Sequence, residues 1–150
     1  MVALSNELYR YRTVSPVGWV KITACAGSTS PVYGTMGQEN GQSNCPGARR
    51  DASIVYDPTT NALYLSGGFG LDSAGIVGTL NDVWRFSLSN VAWAWISGSK
   101  FVGADDVSVN KGMADTNNVP GCRRNHGSFV SGQYLYIYGG QRVTAGGSKS

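Results

Sequence analysis

The fold is decided by residues 81–86, which read NDVWRF and are followed by a second tryptophan, Trp93. Apolar and polar side chains alternate in this hexapeptide, which is the pattern of a half-buried β-strand. A variant of the same hexapeptide, NELYRY, occupies residues 6–11 at an offset of 75. The stretch therefore predicts a strand and, because it recurs, a repeating structural unit.

Three further matches run in the same order along the chain, at offsets of 72 to 74. They pair residues 19–23 with 93–97, residues 46–50 with 120–124, and residues 63–68 with 135–140. The last pair reads LYLSGG and LYIYGG, an alternating run that ends in two glycines. Four collinear matches indicate an internal repeat of 72 to 75 residues.

Each repeat is predicted to supply four short strands joined by tight turns. In the second copy the predicted strands are residues 51–56, 62–66, 82–87 and 92–97. The turns at 57–61 (DPTTN) and 88–91 (LSNV) carry residues that favour chain reversal. No window shows an apolar stripe at helical spacing over three turns. The sequence therefore predicts an all-β protein built from antiparallel meanders.

A strand that ends in two glycines, followed by two tryptophans nine residues apart, resembles the kelch repeat. The residues that carry this pattern are Gly67, Gly68, Trp84, Trp93, Tyr9, Trp19, Gly139 and Gly140. The chain is most similar to long-repeat kelch proteins related to the central domain of galactose oxidase. The resemblance implies a β-propeller of four-stranded blades around a channel. It also implies that these eight residues form the core between blades.

The chain is expected to hold about two blade-equivalents, whereas the smallest ring needs about four blades. Residues 6–23 are the predicted outer half of one blade, residues 51–97 a complete blade, and residues 126–140 the inner half of the next. Residues 24–45 and 98–119 are the predicted long inter-blade loops. We therefore expect either a propeller fragment completed by further blades or a piece that pairs with other copies.

The long connections, at 70–79 and in the two inter-blade loops, are all predicted to lie at one end of the blades, where binding sites on rigid scaffolds usually reside. Two arginine pairs open the innermost strands near this end: Arg49, Arg50, Arg123 and Arg124. One interpretation is a ring of guanidinium groups that binds an acidic peptide or carboxylate ligand. The other is that one arginine of each pair bonds strand-end carbonyls or a neighbouring blade while the second arginine stays solvated.

His126, the only histidine, is a candidate ligand-binding residue, although the resemblance places it at a packing position. One histidine does not supply the copper ligands of galactose oxidase, so no cofactor and no metal site are expected. Four carboxylates in predicted loops are interpreted either as calcium ligands or as solvated groups. Their spacing is not that of a calcium-binding loop. They are Asp72, Asp105, Asp106 and Asp115.

Composition excludes several classes of protein. Charged residues make up 14% of the chain and 21 of its 150 residues are glycine, which argues against a disordered segment or a coiled coil. A net charge of +3 on scattered residues does not favour nucleic-acid binding. No membrane span and no signal peptide are visible. A disulfide between Cys45 and Cys122 stays an open alternative to small, half-buried thiols.

The expected function is a non-catalytic binding module whose partner is an acidic peptide, a protein or a glycan. The alternative is a fragment of a galactose-oxidase-like or epimerase-like propeller enzyme whose catalytic groups lie outside this segment. The resemblance favours an extracellular or cell-surface location and leaves the compartment open.

Overall fold

The computed structural model of the protein describes residues 4–22, 28–40, 43–108 and 112–142. Every regular element in these residues is a β-strand, and all strand pairs are antiparallel. The predicted all-β class is confirmed. No helix in the described part of the chain is long and apolar enough to cross a membrane.

The described residues form eleven strands in four sheets. In chain order they are β1 (Leu8–Arg12), β2 (Gly18–Ile22), β3 (Arg49–Arg50), β4 (Ser53–Asp57), β5 (Ala62–Leu71), β6 (Val77–Ser87), β7 (Ala92–Ser97), β8 (Arg123–Arg124), β9 (Gly127–Ser131), β10 (Tyr134–Tyr138) and β11 (Gln141–Arg142). Strands β3 to β7 form one sheet, which we call the central blade. The pair β1–β2 is the first hairpin, and β9–β10 is the last hairpin. The smallest sheet is the two-residue pair β8–β11.

The central blade is an antiparallel meander in which β3 and β4 both pair with β5, followed by β6 and β7. Asp51, with a φ of 59°, separates β3 from β4, so the predicted first strand is interrupted at its start. The repeat relates β1–β2 to β6–β7 and β9–β10 to β4–β5. By the repeat, the first hairpin therefore corresponds to the outer two strands of the central blade, and the last hairpin to its inner strands β4 and β5.

The prediction of a long loop at residues 70–79 is wrong. Strands β5 and β6 run past the two glycines as a hairpin arm, and only residues 72–76 form its turn. Asp72 holds this turn, because its carboxylate accepts hydrogen bonds from the N–H groups of Ala74, Ile76 and Val102 at 2.8–3.2 Å. The carboxylate expected to be solvated or to bind calcium is thus buried and fully used by backbone donors.

The core lies between the central blade and the first hairpin. Trp84, Phe86, Trp93 and Tyr33 are buried together, and side chains of the first hairpin such as Leu8 pack against them. Burying one such aromatic side chain removes about 150–250 Å² from water, which is worth about 4–6 kcal/mol at about 25 cal/mol per Å². Trp84 and Trp93 therefore stabilise the central blade.

The equivalent aromatic residues of the first hairpin are not core. Tyr9 and Trp19, which the resemblance placed between blades, are 47% and 71% exposed. They occupy the positions of Trp84 and Trp93, but in the described residues β1 has no neighbour on its other edge. Because β1 and β2 form a sheet of only two strands in the described residues, these aromatic side chains remain in solvent.

The disulfide between Cys45 and Cys122, which the sequence left as an alternative, is not formed. Cys45 is disulfide-bonded, whereas Cys122 is a buried free thiol. Burial raises the pKa of the Cys122 thiol to about 11, so it is protonated and unreactive near neutral pH. The third cysteine, Cys25, lies outside the described residues.

Candidate functional site

The connections that follow β5 and β7, and the segment that precedes β3, meet at one end of the central blade. In the turn after β5, the N–H of Ser73 donates to the Lys100 carbonyl at 2.9 Å. The N–H of Leu71, at the end of β5, donates to the Ala48 carbonyl at 3.1 Å. We call this region the long-connection end. The contacts agree with the predicted clustering, although the connection after β5 is short.

Arg49 lies at the long-connection end but points into the protein. Its guanidinium forms a bidentate pair with Asp82, with Nη1–Oδ1 at 2.7 Å and Nη2–Oδ2 at 2.8 Å. Nη1 also donates to the Gly67 carbonyl at 2.9 Å, and Nε donates to the Gly47 carbonyl at 3.1 Å. With a side chain only 5% exposed, Arg49 has no surface left for a ligand.

The Asp82 carboxylate sets the direction in which the pKa of the buried Arg49 guanidinium is shifted. Burial disfavours the charged guanidinium, but the adjacent Asp82 outweighs it, so the pKa of Arg49 is raised above its ordinary value. Asp82 also accepts hydrogen bonds from the Tyr33 hydroxyl at 2.8 Å and the Trp84 indole N–H at 2.7 Å. Burial, reinforced by Asp82, raises the pKa of Tyr33, which keeps its hydroxyl a donor.

Arg123 occupies the position of Arg49 in the next repeat and makes the same two hydrogen bonds to backbone carbonyls. Its Nε donates to the Gly121 carbonyl at 3.2 Å and its Nη1 to the Gly139 carbonyl at 3.2 Å, the positions equivalent to Gly47 and Gly67. No described carboxylate forms an ion pair with it. Burial, followed by the charge of Arg142, lowers the pKa of Arg123.

The second arginine of each pair points outward, and both lie over one aromatic ring. The guanidinium carbon of Arg50 is 4.9 Å from the Phe69 ring centroid, and that of Arg124 is 5.2 Å from it. Arg50 also contacts Asp51 at 3.0 Å, and Arg124 donates to Gln141 Oε1 at 2.9 Å. The structure therefore divides each pair into one carbonyl-bonded arginine and one accessible arginine that shares Phe69.

His126 lies between the central blade and the last hairpin. Its Nε2 is 2.7 Å from the Ser66 hydroxyl oxygen, a distance suited to a base and a nucleophile. Both side chains are buried, however, and the cavity beside them measures only about 10 Å³. Burial, followed by the charge of Arg123, lowers the pKa of His126, so the ring is neutral at pH 7. The pair lies where the last hairpin packs against the central blade and has no room for a substrate.

Two of the three remaining loop carboxylates form local contacts, and Asp105 is exposed. Asp106 pairs with Arg142, and Asp115 accepts the N–H of Asn117 at 2.8 Å. No group of three potential metal-binding side chains occurs in the described residues.

Two residues of this region escaped sequence reasoning, Asp82 and Phe69. Asp82 lies inside the decisive hexapeptide, and an acid in a predicted buried strand is a signal that a buried cation opposes it. Phe69 follows the two glycines directly, between the predicted strand at 62–66 and the predicted loop at 70–79. Only the β3–β5 pairing, which places Arg50 opposite Phe69, shows what this ring does.

Comparison with known proteins adds information about the fold alone. No family model matches the sequence, and no curated protein matches it. A solved structure described as "Structure of YjhT" is similar, with a TM-score of 0.57 and 19% sequence identity. The similarity covers 93% of this chain and 30% of that chain. The chain thus has a fold also found in part of a longer β-rich protein.

Proposed function

We propose that this chain is a kelch-repeat binding module that acts without catalysis and holds an acidic peptide segment of a partner at the long-connection end. The observation that carries the proposal is the pair of accessible guanidinium groups over Phe69. The internal repeat and the four-stranded blade support the kelch assignment, because each motif residue of the complete copy packs where that repeat would need it.

The geometry favours an anionic ligand for a physical reason. The guanidinium groups of Arg50 and Arg124 lie over Phe69 and use one N–H group each in the contacts with Asp51 and Gln141, which leaves further N–H donors for a ligand. A carboxylate accepts two such N–H groups side by side. A bound anion would also relieve the repulsion between two like charges held beside the same ring.

The proposal excludes the neighbouring arginines from direct binding. Arg49 is neutralised by Asp82 inside the blade, and Arg123 bonds two backbone carbonyls. His126 is likewise enclosed between blades. The binding surface is therefore narrower than the ring of four arginines and one histidine that the sequence suggested.

Fluorescence anisotropy with a dye-labelled hexaglutamate peptide tests the site. Replacing both cations in Arg50→Gln/Arg124→Gln is expected to weaken binding at least about tenfold, since each charge-assisted hydrogen bond is worth about 1.5–3 kcal/mol. Added salt is expected to weaken binding to the unchanged chain, because exposed ion pairs are screened.

A matched control is Arg12→Gln, which removes one exposed arginine at the end of β1, outside the long-connection end. It is expected to leave the peptide affinity within about twofold. Equal binding by the unchanged chain and the double variant would overturn the proposal, as would binding of a hexalysine peptide with the same affinity.

A further inference from the structure

The first and last hairpins are complementary halves of one blade. By the repeat, β1–β2 corresponds to the third and fourth strands of a blade, and β9–β10 corresponds to the first and second. In the described residues, β1 has a free edge where a second strand would lie, and β10 has a free edge where a third strand would lie. Free strand edges are templates for pairing with another chain.

The seam between β5 and β6 gives the register that these two edges would adopt. There Leu63 is opposite Phe86, and Leu65 is opposite Trp84. The repeat converts the second of these pairs into Ile137 opposite Tyr9. The five pairs that result are Tyr134 with Arg12, Leu135 with Tyr11, Tyr136 with Arg10, Ile137 with Tyr9, and Tyr138 with Leu8.

Charge is complementary across the same seam. Arg49 bonds the Gly47 and Gly67 carbonyls and is neutralised by Asp82. Arg123 makes the two equivalent carbonyl bonds, and the residue that the repeat places at the position of Asp82 is Glu7. Glu7 is on the surface and pairs there with Lys21. A second copy would therefore bring a carboxylate to an arginine already held in the receiving geometry.

The exposed aromatic residues also fit such a joint. Tyr134, Tyr136 and Tyr138 are 68%, 44% and 84% exposed on the outward face of β10. A separate groove of about 230 Å³ lies between the first hairpin and the central blade, beside Leu8, Ile54 and Leu65, where the inner hairpin of another copy would pack. Three exposed aromatic side chains in a row along one strand form an apolar surface, which marks an interaction site.

We propose that copies of this chain associate head to tail, with β10 of one copy pairing with β1 of the next to complete a four-stranded blade. Each joint buries Tyr9, Tyr11 and Trp19 of one copy, as the equivalent Trp84, Phe86 and Trp93 are buried within a copy. The contact joins two different surfaces. Copies therefore close into a ring only if the rotation from one copy to the next is a whole fraction of a full turn. With about four to eight blades per propeller, closed rings contain about two to four copies.

Light scattering after size-exclusion chromatography, over a wide range of protein concentration, measures the assembly directly. The unchanged chain is expected to show one species whose mass is two, three or four times that of the chain. The double variant Glu7→Arg/Lys21→Glu keeps the local ion pair with its signs exchanged, but it opposes Arg123 of the partner copy with a like charge. It is expected to remain folded by circular dichroism and to associate at least about tenfold more weakly.

The matched control is Asp105→Arg/Lys100→Glu, the same exchange of charges at exposed positions away from both edges. It is expected to leave the measured mass unchanged. A monomer at every concentration would overturn the proposal, and so would equal association of the two double variants.

Disulfide trapping tests the register. Residues directly opposite in an antiparallel pair have Cβ atoms about 4.5–5.5 Å apart, within reach of a disulfide after a small shift. Tyr9→Cys chains mixed with Ile137→Cys chains, both carrying Cys122→Ala, are expected to give a cross-linked dimer. Ile76→Cys, at the exposed turn of the long-connection end, replaces Ile137→Cys in the control and is expected not to cross-link. Cross-linking of Ile137→Cys with itself would show a two-fold symmetric contact and overturn the head-to-tail arrangement.

Discussion

At the scale of single residues, Asp82 has the largest effect on the molecule. Its carboxylate is completely buried and accepts hydrogen bonds from three side chains that come from different segments: Arg49, Tyr33 and Trp84. It connects the innermost strand, the third strand and the segment that precedes the blade. A buried ion pair contributes little compared with an apolar pair of the same size, but removing one partner is costly.

Asp82→Asn is expected to reduce the free energy of unfolding by about 3–5 kcal/mol, because it leaves the Arg49 guanidinium buried without a counter-charge. Urea unfolding followed by tryptophan fluorescence measures the change. The control is Glu39→Gln, which breaks the half-exposed pair with Arg85 and is expected to cost at most about 1 kcal/mol. Equal losses for the two variants would show that the buried pair does not hold the blade.

His126 gives the protein a predicted pH dependence. Its folded pKa is lowered, so the unfolded chain, with a histidine pKa of about 6.5, binds more protons below that value. Stability is therefore fully present above pH about 6.5 and is lost as the pH falls toward the folded pKa. The loss is expected to be at most about 1.4 kcal/mol per pH unit.

Urea unfolding between pH about 5.5 and 7.5 isolates this effect, because carboxylates titrate mainly below that window. His126→Asn is expected to flatten the slope. A slope that persists unchanged in this variant would assign the pH dependence to another group.

At the scale of elements, the strand positions were predictable and their lengths were not. Alternation and turn residues located β4, β5, β6 and β7, because both are local properties of the chain, whereas the two-residue strand β3 lies before the predicted first strand. The extension of β5 and β6 beyond Gly67 and Gly68 was missed, because glycines read as breakers. Here both have a positive φ and sit at a shift in register, where an added Cβ would meet neighbouring atoms at 2.5–2.8 Å.

The two tight turns of the central blade share a left-handed residue before the next strand. It is Asn61, with a φ of 49°, in one turn and Val91, with a φ of 52°, in the other. Asparagine tolerates this conformation, whereas a β-branched residue is strained there.

Val91→Asn is therefore expected to stabilise the protein by about 1 kcal/mol. The change in melting temperature measures this effect. The reciprocal variant Asn61→Val is expected to destabilise the protein by a similar amount. A lower melting temperature for Val91→Asn would mean that packing of the valine side chain outweighs its backbone strain.

At the scale of the whole molecule, an asparagine that recurs at the same position of the repeat, as Asn6 and Asn81, bonds one repeat to the next. The Asn81 amide donates to the Pro120 carbonyl at 3.0 Å, and its Oδ1 accepts the N–H of Ser99 at 2.9 Å. Asn6 makes the equivalent bond to the Pro46 carbonyl at 3.3 Å. This contact ties the third strand of one blade to the segment that enters the next.

Asn81→Leu is expected to cost about 1–3 kcal/mol, because a backbone carbonyl and an N–H lose their partner. Hydrogen exchange is expected to become faster in the last hairpin and to stay slow in β5 and β6, whose pairing does not involve Pro120. Asn117→Leu, at an exposed turn, is the control and is expected to change neither. Uniformly faster exchange across all strands would show that the units unfold together.

The sequence by itself determined the strands, the repeat and therefore the all-β class, because alternation and turn chemistry act between near neighbours in the chain. It also placed both arginine pairs at the start of inner strands. Only the tertiary structure decided which arginine of each pair is buried. Adjacent residues of a strand face opposite ways, and Arg49 turns inward because β5–β6 pairing brings Asp82 to it, while Arg50 meets Phe69. Such pairings depend on contacts between distant residues, which no local pattern records.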